Sequence, residues 1–191
     1  VEHSAAPLRD SKNNIIGSVL VMRDVTESKK LSERISYQAQ HDSLTGLINR
    51  MEFEDRLNKA FQDAKVNSTS NVLLYIDLDQ FKVVNDTCGH VAGDELLCQL
   101  TALFGRQLED NMTLARLGGD EFGLLVVNET VQQAYKIAEK ILSVCQDFRF
   151  NWQDKTFTVG ASIGMVSIDI GTAKVSDILI QADTACYAAK D

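Results

Sequence analysis

Met112-Thr113-Leu114-Ala115-Arg116-Leu117-Gly118-Gly119-Asp120-Glu121-Phe122-Gly123-Leu124-Leu125-Val126-Val127 sets apolar runs on either side of two glycines and two acids. The pattern predicts a β-hairpin, with strands over 112–116 and 121–127 and the glycines at its tip. Glycine permits the tight turn and leaves no side chain to block a ligand. Side chains alternate along a strand, so one of the two acids must face whatever approaches the glycines. Such a tip suits a metal and a phosphate. An ordinary hairpin with a solvated acidic turn has the same residues, and so short a motif does not separate the two.

A second constellation bears on the choice. Asn71-Val72-Leu73-Leu74-Tyr75-Ile76-Asp77-Leu78 is a short apolar run of the kind found in buried strands, and it leads into Asp79-Gln80-Phe81-Lys82. Carboxylates at the end of a buried strand, beside an acidic hairpin tip, offer the few hard oxygen ligands that Mg²⁺ takes, with water and substrate phosphate completing the shell.

The resemblance to a known family rests on several spaced motifs. Asp77-x-Asp79-x-Phe81-Lys82-x-x-Asn85-Asp86 is followed by Gly89-His90-x-x-Gly93-Asp94 and then by Arg116-x-Gly118-Gly119-Asp120-Glu121-Phe122. Upstream stands His41-Asp42-x-Leu44-Thr45-Gly46-Leu47-x-Asn49-Arg50, and downstream Ala182-Asp183-x-Ala185-x-Tyr187-x-Ala189-Lys190. In order and spacing the chain from about residue 38 to 191 resembles the GGDEF family of diguanylate cyclases.

The resemblance implies an α+β fold with a palm-like, mostly antiparallel five-stranded sheet flanked by helices, as in nucleotide cyclases. It implies condensation of two GTP into cyclic di-GMP and two pyrophosphates by metal-assisted phosphoryl transfer. Asp77, the carbonyl of Leu78 and Asp120 would hold Mg²⁺ or Mn²⁺; Asp120 is also the proposed base, and Glu121 would share the metal. Asn85 and Asp94 match the guanine-reading positions, where an amide and a carboxylate together can pair with the base edge. His90 belongs to the same motif, with a structural loop histidine as its other reading. Amides near Phe81 and Lys82, at a helix start, suit the β- and γ-phosphates, and Lys190 matches a phosphate-binding lysine. Each domain would hold one GTP, so catalysis implies a homodimer with two domains antiparallel.

Two departures from the family stand out. Its usual Gly-Arg-Asn after the lysine is absent, from which weaker GTP binding is expected. The window for an Arg-x-x-Asp product site holds Glu109-Asp110-Asn111-Met112, so no product inhibition through that site is expected.

Composition bounds the rest. With 191 residues, 45% of them apolar, the chain suits one domain with an appendage. A net charge of −8 argues against a nucleic acid polymer as partner. Cys88, Cys98, Cys145 and Cys186 show no Cys-x-x-Cys spacing, and neither a membrane-spanning run nor a signal peptide is visible. Cytoplasmic placement without membrane contact is therefore expected for this stretch, even if the full-length protein is anchored elsewhere. The missing initiator Met and the end at Asp191 read as a piece of a longer protein.

Residues 1–26 resemble the last hairpin of a PAS sensor domain, the alternative being a stray strand docked on the main domain. Residues 27–40 read as a polar linker helix with Leu31, Ile35 and Ala39 at a spacing of four, either a two-helix seam or a solvated connector. By the family resemblance residues 41–191 would form the GGDEF domain, with helices expected near 50–65, 91–107, 131–147 and 175–190 and a hairpin over 148–168. The main alternative function is a catalytically weak GTP-binding module controlling an attached EAL phosphodiesterase domain. A purely structural dimerisation unit leaves the paired acids unexplained.

Overall fold

A computed structural model describes residues 1–171 and 174–190, the side chain of Glu33 excepted. The chain forms two compact units, Val1–Ala39 and Gln40–Asp191. In the first, β1 (Glu2–Arg9) and β2 (Ile15–Arg23) pair antiparallel. Asp10 closes their turn, its Oδ1 accepting from the amides of Lys12 (2.8 Å) and Asn14 (2.9 Å). Asp24 then accepts from the Thr26 amide at 2.9 Å and starts α1 (Thr26–Gln40). The apolar side chains of Ile15, Ile16, Leu20, Val21 and Met22, and of Leu31 and Ile35 on the helix, are exposed.

The second unit runs β3 (Ile48–Asn49), α2 (Arg50–Asn67), β4 (Asn71–Asp79), α3 (Phe81–Cys88), α4 (His90–Gly105), β5 (Met112–Gly118) and β6 (Glu121–Val126). It continues with α5 (Val131–Asp147), β7 (Phe150–Trp152), β8 (Lys155–Phe157), β9 (Gly160–Ile168) and α6 (Val175–Ala188). The central sheet has five strands in the order β3-β5-β6-β4-β9. Only the short β3–β5 pairing in it is parallel. This is the expected α+β sheet.

β4 lies between β6 and β9 and is covered on both faces, which is why its sequence is apolar without alternation. Val72, Leu74, Ile76 and Leu78 pack with Phe81, Leu96, Leu100, Phe104 and Ile141 on one side. Leu73 and Tyr75 pack with Phe53, Leu57, Ala182 and Cys186 on the other. Two glycines allow the second layer to come close. A Cβ on Gly123 would strike the Phe53 ring, and one on Gly164 would strike the α6 backbone at Ala182 and Cys186. Helix ends follow local chemistry: Asn49 caps α2 by accepting from the Glu52 amide at 3.0 Å, and Thr130 with Gln133 forms a capping box on α5.

The expected hairpin over 148–168 is replaced by two separate features. Gln153, at φ 52°, reverses the chain after the three residues of β7, so that β7 and β8 form a small sheet of their own. The chain then crosses through buried Val159, and β9 pairs with β4 from Asn71↔Ile168 to Asp79↔Gly160. Turn position decides this: a three-residue strand cannot cover the edge of a nine-residue one. The last helix ends at Ala188, not Lys190. β3 was not foreseen because two residues carry no periodicity.

Candidate active site

The acids meet at the C-terminal end of β4. Asp77 and Glu121 are in register across β4 and β6, and the next amide, of Leu78, donates to the Asp120 carbonyl at 3.3 Å. Gly118 (φ 154°) and Gly119 (φ 52°) make the reversal between β5 and β6, both in conformations that side-chain-bearing residues rarely adopt.

Two arginines fix the tip. Arg50, first residue of α2, donates Nε to the Leu117 carbonyl at 2.8 Å and brings Nη2 within 3.6 Å of Glu121 Oε2. Arg116 donates Nε to the Gly119 carbonyl at 3.0 Å, while its Nη1 lies 3.2 Å from Asp42 Oδ1. The backbone oxygens of Leu117 and Asp120 are thus held by donors on α2 and β4, and that of Gly119 by Arg116 of the hairpin itself. The hydroxyl of Tyr75 bonds to Glu121; burial, then that bond and the negative charge, push its pKa far above the ordinary tyrosine value.

Asp77 Oδ1 is buried and lies 2.7 Å from Lys190 Nζ, just beyond α6. Asp120 is held above the ordinary carboxylate pKa, first by burial and then by the charge of Asp77. Its own backbone amide, Lys190 and Arg116 offset this in part. Two crowded carboxylates sharing one ammonium are short of positive charge, which is the condition a cation relieves. Among the described residues no group of three or more His, Cys, Asp or Glu side chains is arranged to hold a metal. Two carboxylates and a backbone carbonyl, completed by water and phosphate, nevertheless fit a hard cation. Asp79 is engaged elsewhere, accepting from Ser162 Oγ at 3.0 Å.

The remaining expected residues lie around α3 and α4. Asn85 packs on Gly93, where any Cβ would strike its Oδ1, and that buried oxygen has no hydrogen-bond partner among the described residues. Asp94 follows Gly93 and is exposed; His90, first residue of α4, is exposed as well. Phe81 is buried and Lys82 exposed at the start of α3, where no side chain caps the helix. Sequence reasoning assigned no role to Arg50, Tyr75, Asp42 or Arg116. Arg50, Asp42 and Arg116 do stand inside the quoted motifs, whereas Tyr75 reads only as part of an apolar strand. A groove of about 480 Å³ lined by Leu103, Gln107, Lys140, Val144 and Phe148 includes none of the site residues.

Comparison with known proteins identifies the family. The family model "Diguanylate cyclase, GGDEF domain" matches residues 39–191. The chain is 45% identical to the probable diguanylate cyclase DgcE of Escherichia coli K12, over 100% of this chain and 17% of that protein. It is 36% identical to the cyclic di-GMP phosphodiesterase PdeB of Shewanella oneidensis, over 100% of this chain and 22% of that one. Among solved structures, the coiled coil and GGDEF domain of Caulobacter crescentus DgcB in complex with c-di-GMP superposes with a TM-score of 0.81 at 27% identity, covering 87% of this chain and 88% of that one. The FimX GGDEF domain of Pseudomonas aeruginosa superposes at 0.76 and 29% identity, covering 78% and 93%. The chain belongs to the GGDEF diguanylate cyclase family, which is metal-dependent in general. It spans about a fifth of the length of the two relatives named. No helix among the described residues is long and apolar enough to cross a membrane.

Proposed function

We propose that the Gln40–Asp191 unit is a diguanylate cyclase that joins two GTP into cyclic di-GMP, releasing two pyrophosphates. The observation that carries this reading is the Leu78–Asp120 backbone bond, which sets Asp77 and Asp120 side by side at the end of β4. The resident cation, Mg²⁺ or Mn²⁺, would be held by Asp77, the Leu78 carbonyl and Asp120, with Glu121 as a further ligand. When bound it polarises the α-phosphate and lowers the pKa of the attacking 3′-hydroxyl.

The protein's own groups do the rest. Asp120, with its raised pKa, accepts the proton of the 3′-hydroxyl. The new bond joins that oxygen to the α-phosphorus of the other GTP, and the bond to the β-phosphate breaks as pyrophosphate leaves. Asn85 and Asp94 read guanine, and the unpartnered Asn85 Oδ1 supports this because it can accept from the base. The amides near Phe81 and Lys82 and the ammonium of Lys190 bind phosphates, and His90 starts α4 between the two guanine-reading residues. One unit holds one nucleotide, so two units face each other antiparallel in a homodimer.

The β1–β2 hairpin is the C-terminal part of a PAS-type sensor sheet, a reading supported by its exposed apolar side chains. Residues 27–40 act as its connector and 41–191 as the catalytic domain. An EAL domain in the same polypeptide fits the likeness to PdeB and to the bifunctional cyclase/phosphodiesterase MucR of Pseudomonas aeruginosa, to which the chain is 35% identical. Retention of Asp77, Asp120 and Glu121 favours catalysis over a purely regulatory GTP-binding role.

Chromatography of GTP incubated with the protein and Mg²⁺ tests the reading. Cyclic di-GMP is expected from the wild type, with a loss of at least about a hundredfold for Asp120→Asn. GTP binding without product from the full-length protein would leave the regulatory role. Absence of GTP binding would leave only a structural one.

A further inference from the structure

Lys190 has two suitors. Its ammonium lies 2.7 Å from Asp77 Oδ1, in a pair whose side chains are 36% and 18% exposed, so both charges have lost part of their water. That oxygen is buried and takes no other hydrogen bond among the described residues. The same ammonium also lies close enough to favour ionisation of Asp120. One flexible cation therefore sits against the carboxylates proposed to hold the metal, as an internal substitute for it.

The lysine's base is anchored while its head is not. The Lys190 amide donates to the Tyr187 carbonyl at 3.1 Å, and Cys186 Sγ donates to the Ser162 carbonyl at 3.1 Å. Gly164 lets α6 rest directly on β9 beneath it. From this base four methylenes carry the ammonium, whose rotamers can carry it off Asp77 without moving the helix.

We propose that Lys190 competes with the divalent cation for Asp77 and offsets part of the negative charge of the metal-free site until the nucleotide's phosphates draw the ammonium away. Resting on the metal-binding reading of Asp77, this makes cation and triphosphate loading interdependent. A ligand that removes Lys190 from Asp77 tightens the cation, and the cation in turn tightens that ligand.

The test needs no turnover. Free Mn²⁺ is measured by electron paramagnetic resonance during titration of the nucleotide-free protein. Lys190→Met should bind Mn²⁺ roughly five- to thirtyfold more tightly than wild type, the range set by removing a partly desolvated ionic competitor. Lys190→Arg, which keeps the charge, should stay near wild type. Affinity of Lys190→Met equal to or below wild type would overturn the competition. The control is Asp77→Asn, expected to lose the site; if it retained wild-type Mn²⁺ binding, the metal reading of Asp77 would fall. The two failures are told apart by which variant departs from expectation.

Discussion

Arg116 ties Asp42 to the glycine turn: its Nη1 lies 3.2 Å from Asp42 Oδ1 and its Nε 3.0 Å from the Gly119 carbonyl. Asp42 is in turn held by Thr45, whose hydroxyl and amide donate at 2.7 and 2.9 Å. A residue 74 positions earlier in the chain thus sets the conformation of the turn that carries Asp120. With only 15% and 22% of the two side chains exposed, the pair lies between a surface and a buried ion pair. Asp42→Ala should destabilise the domain by about 1–3 kcal/mol, measured by urea denaturation. Cyclic di-GMP formation should fall more than stability accounts for, because the tip loses its brace.

The same residue predicts a response to acid. Burial opposes ionisation of Asp42, but bonds from the Thr45 hydroxyl and amide, and then Arg116, outweigh it and hold the carboxyl below its ordinary value of 3.8. A depressed folded pKa means stability that is full above the unfolded value and is lost as pH falls through the folded one. Asp42→Asn should therefore flatten the loss of stability below about pH 4, seen in chemical denaturation at stepped pH. A variant as acid-sensitive as wild type across that window would contradict the assignment.

Gly164 lets α6 approach the sheet closely, since an added Cβ would meet the Ala182 carbonyl and the Cys186 amide, both backbone. Neither can move without the helix. Gly164→Ala should cost about 1–3 kcal/mol or more in a thermal melt, and it should shift the Lys190 end of α6. Gly119→Ala tests a different cause, strain at φ 52° in open space, and should cost about 1–2 kcal/mol.

Asn85 tests base recognition. Its buried Oδ1 lacks a partner, so Asn85→Ala removes an unmet acceptor and should affect folding stability little. The reading of guanine predicts a rise in apparent Kd for GTP of roughly ten- to a hundredfold, with ATP binding unchanged. Isothermal titration with both nucleotides would show an equal change for each if the residue contacted only phosphate or sugar.

The α+β class and the acidic hairpin were legible from residue types and spacing, and the family from the resemblance of the spaced motifs. Short-range chemistry decides them: glycines at a reversal, an unbroken apolar run for a strand covered on both faces, and carboxylates at the ends of both. Most helix boundaries followed from periodicity to within two positions. The fate of residues 148–168 was not legible, because whether a strand turns back on its neighbour or crosses to β4 depends on which sheet edge is open. Nor could the sequence say that Arg50 and Arg116 would each hold a carbonyl of the tip, or that Tyr75 would bond to Glu121. The Arg50 and Tyr75 contacts join segments far apart in the chain that only the tertiary fold brings together, and the Arg116 contact spans three residues and exists only once the tip has its turn conformation. The pairing of Lys190 with Asp77 is of the same kind: each residue could be named from its motif, but only α6 folding back over β9 places one ammonium against the acids of β4 and the hairpin.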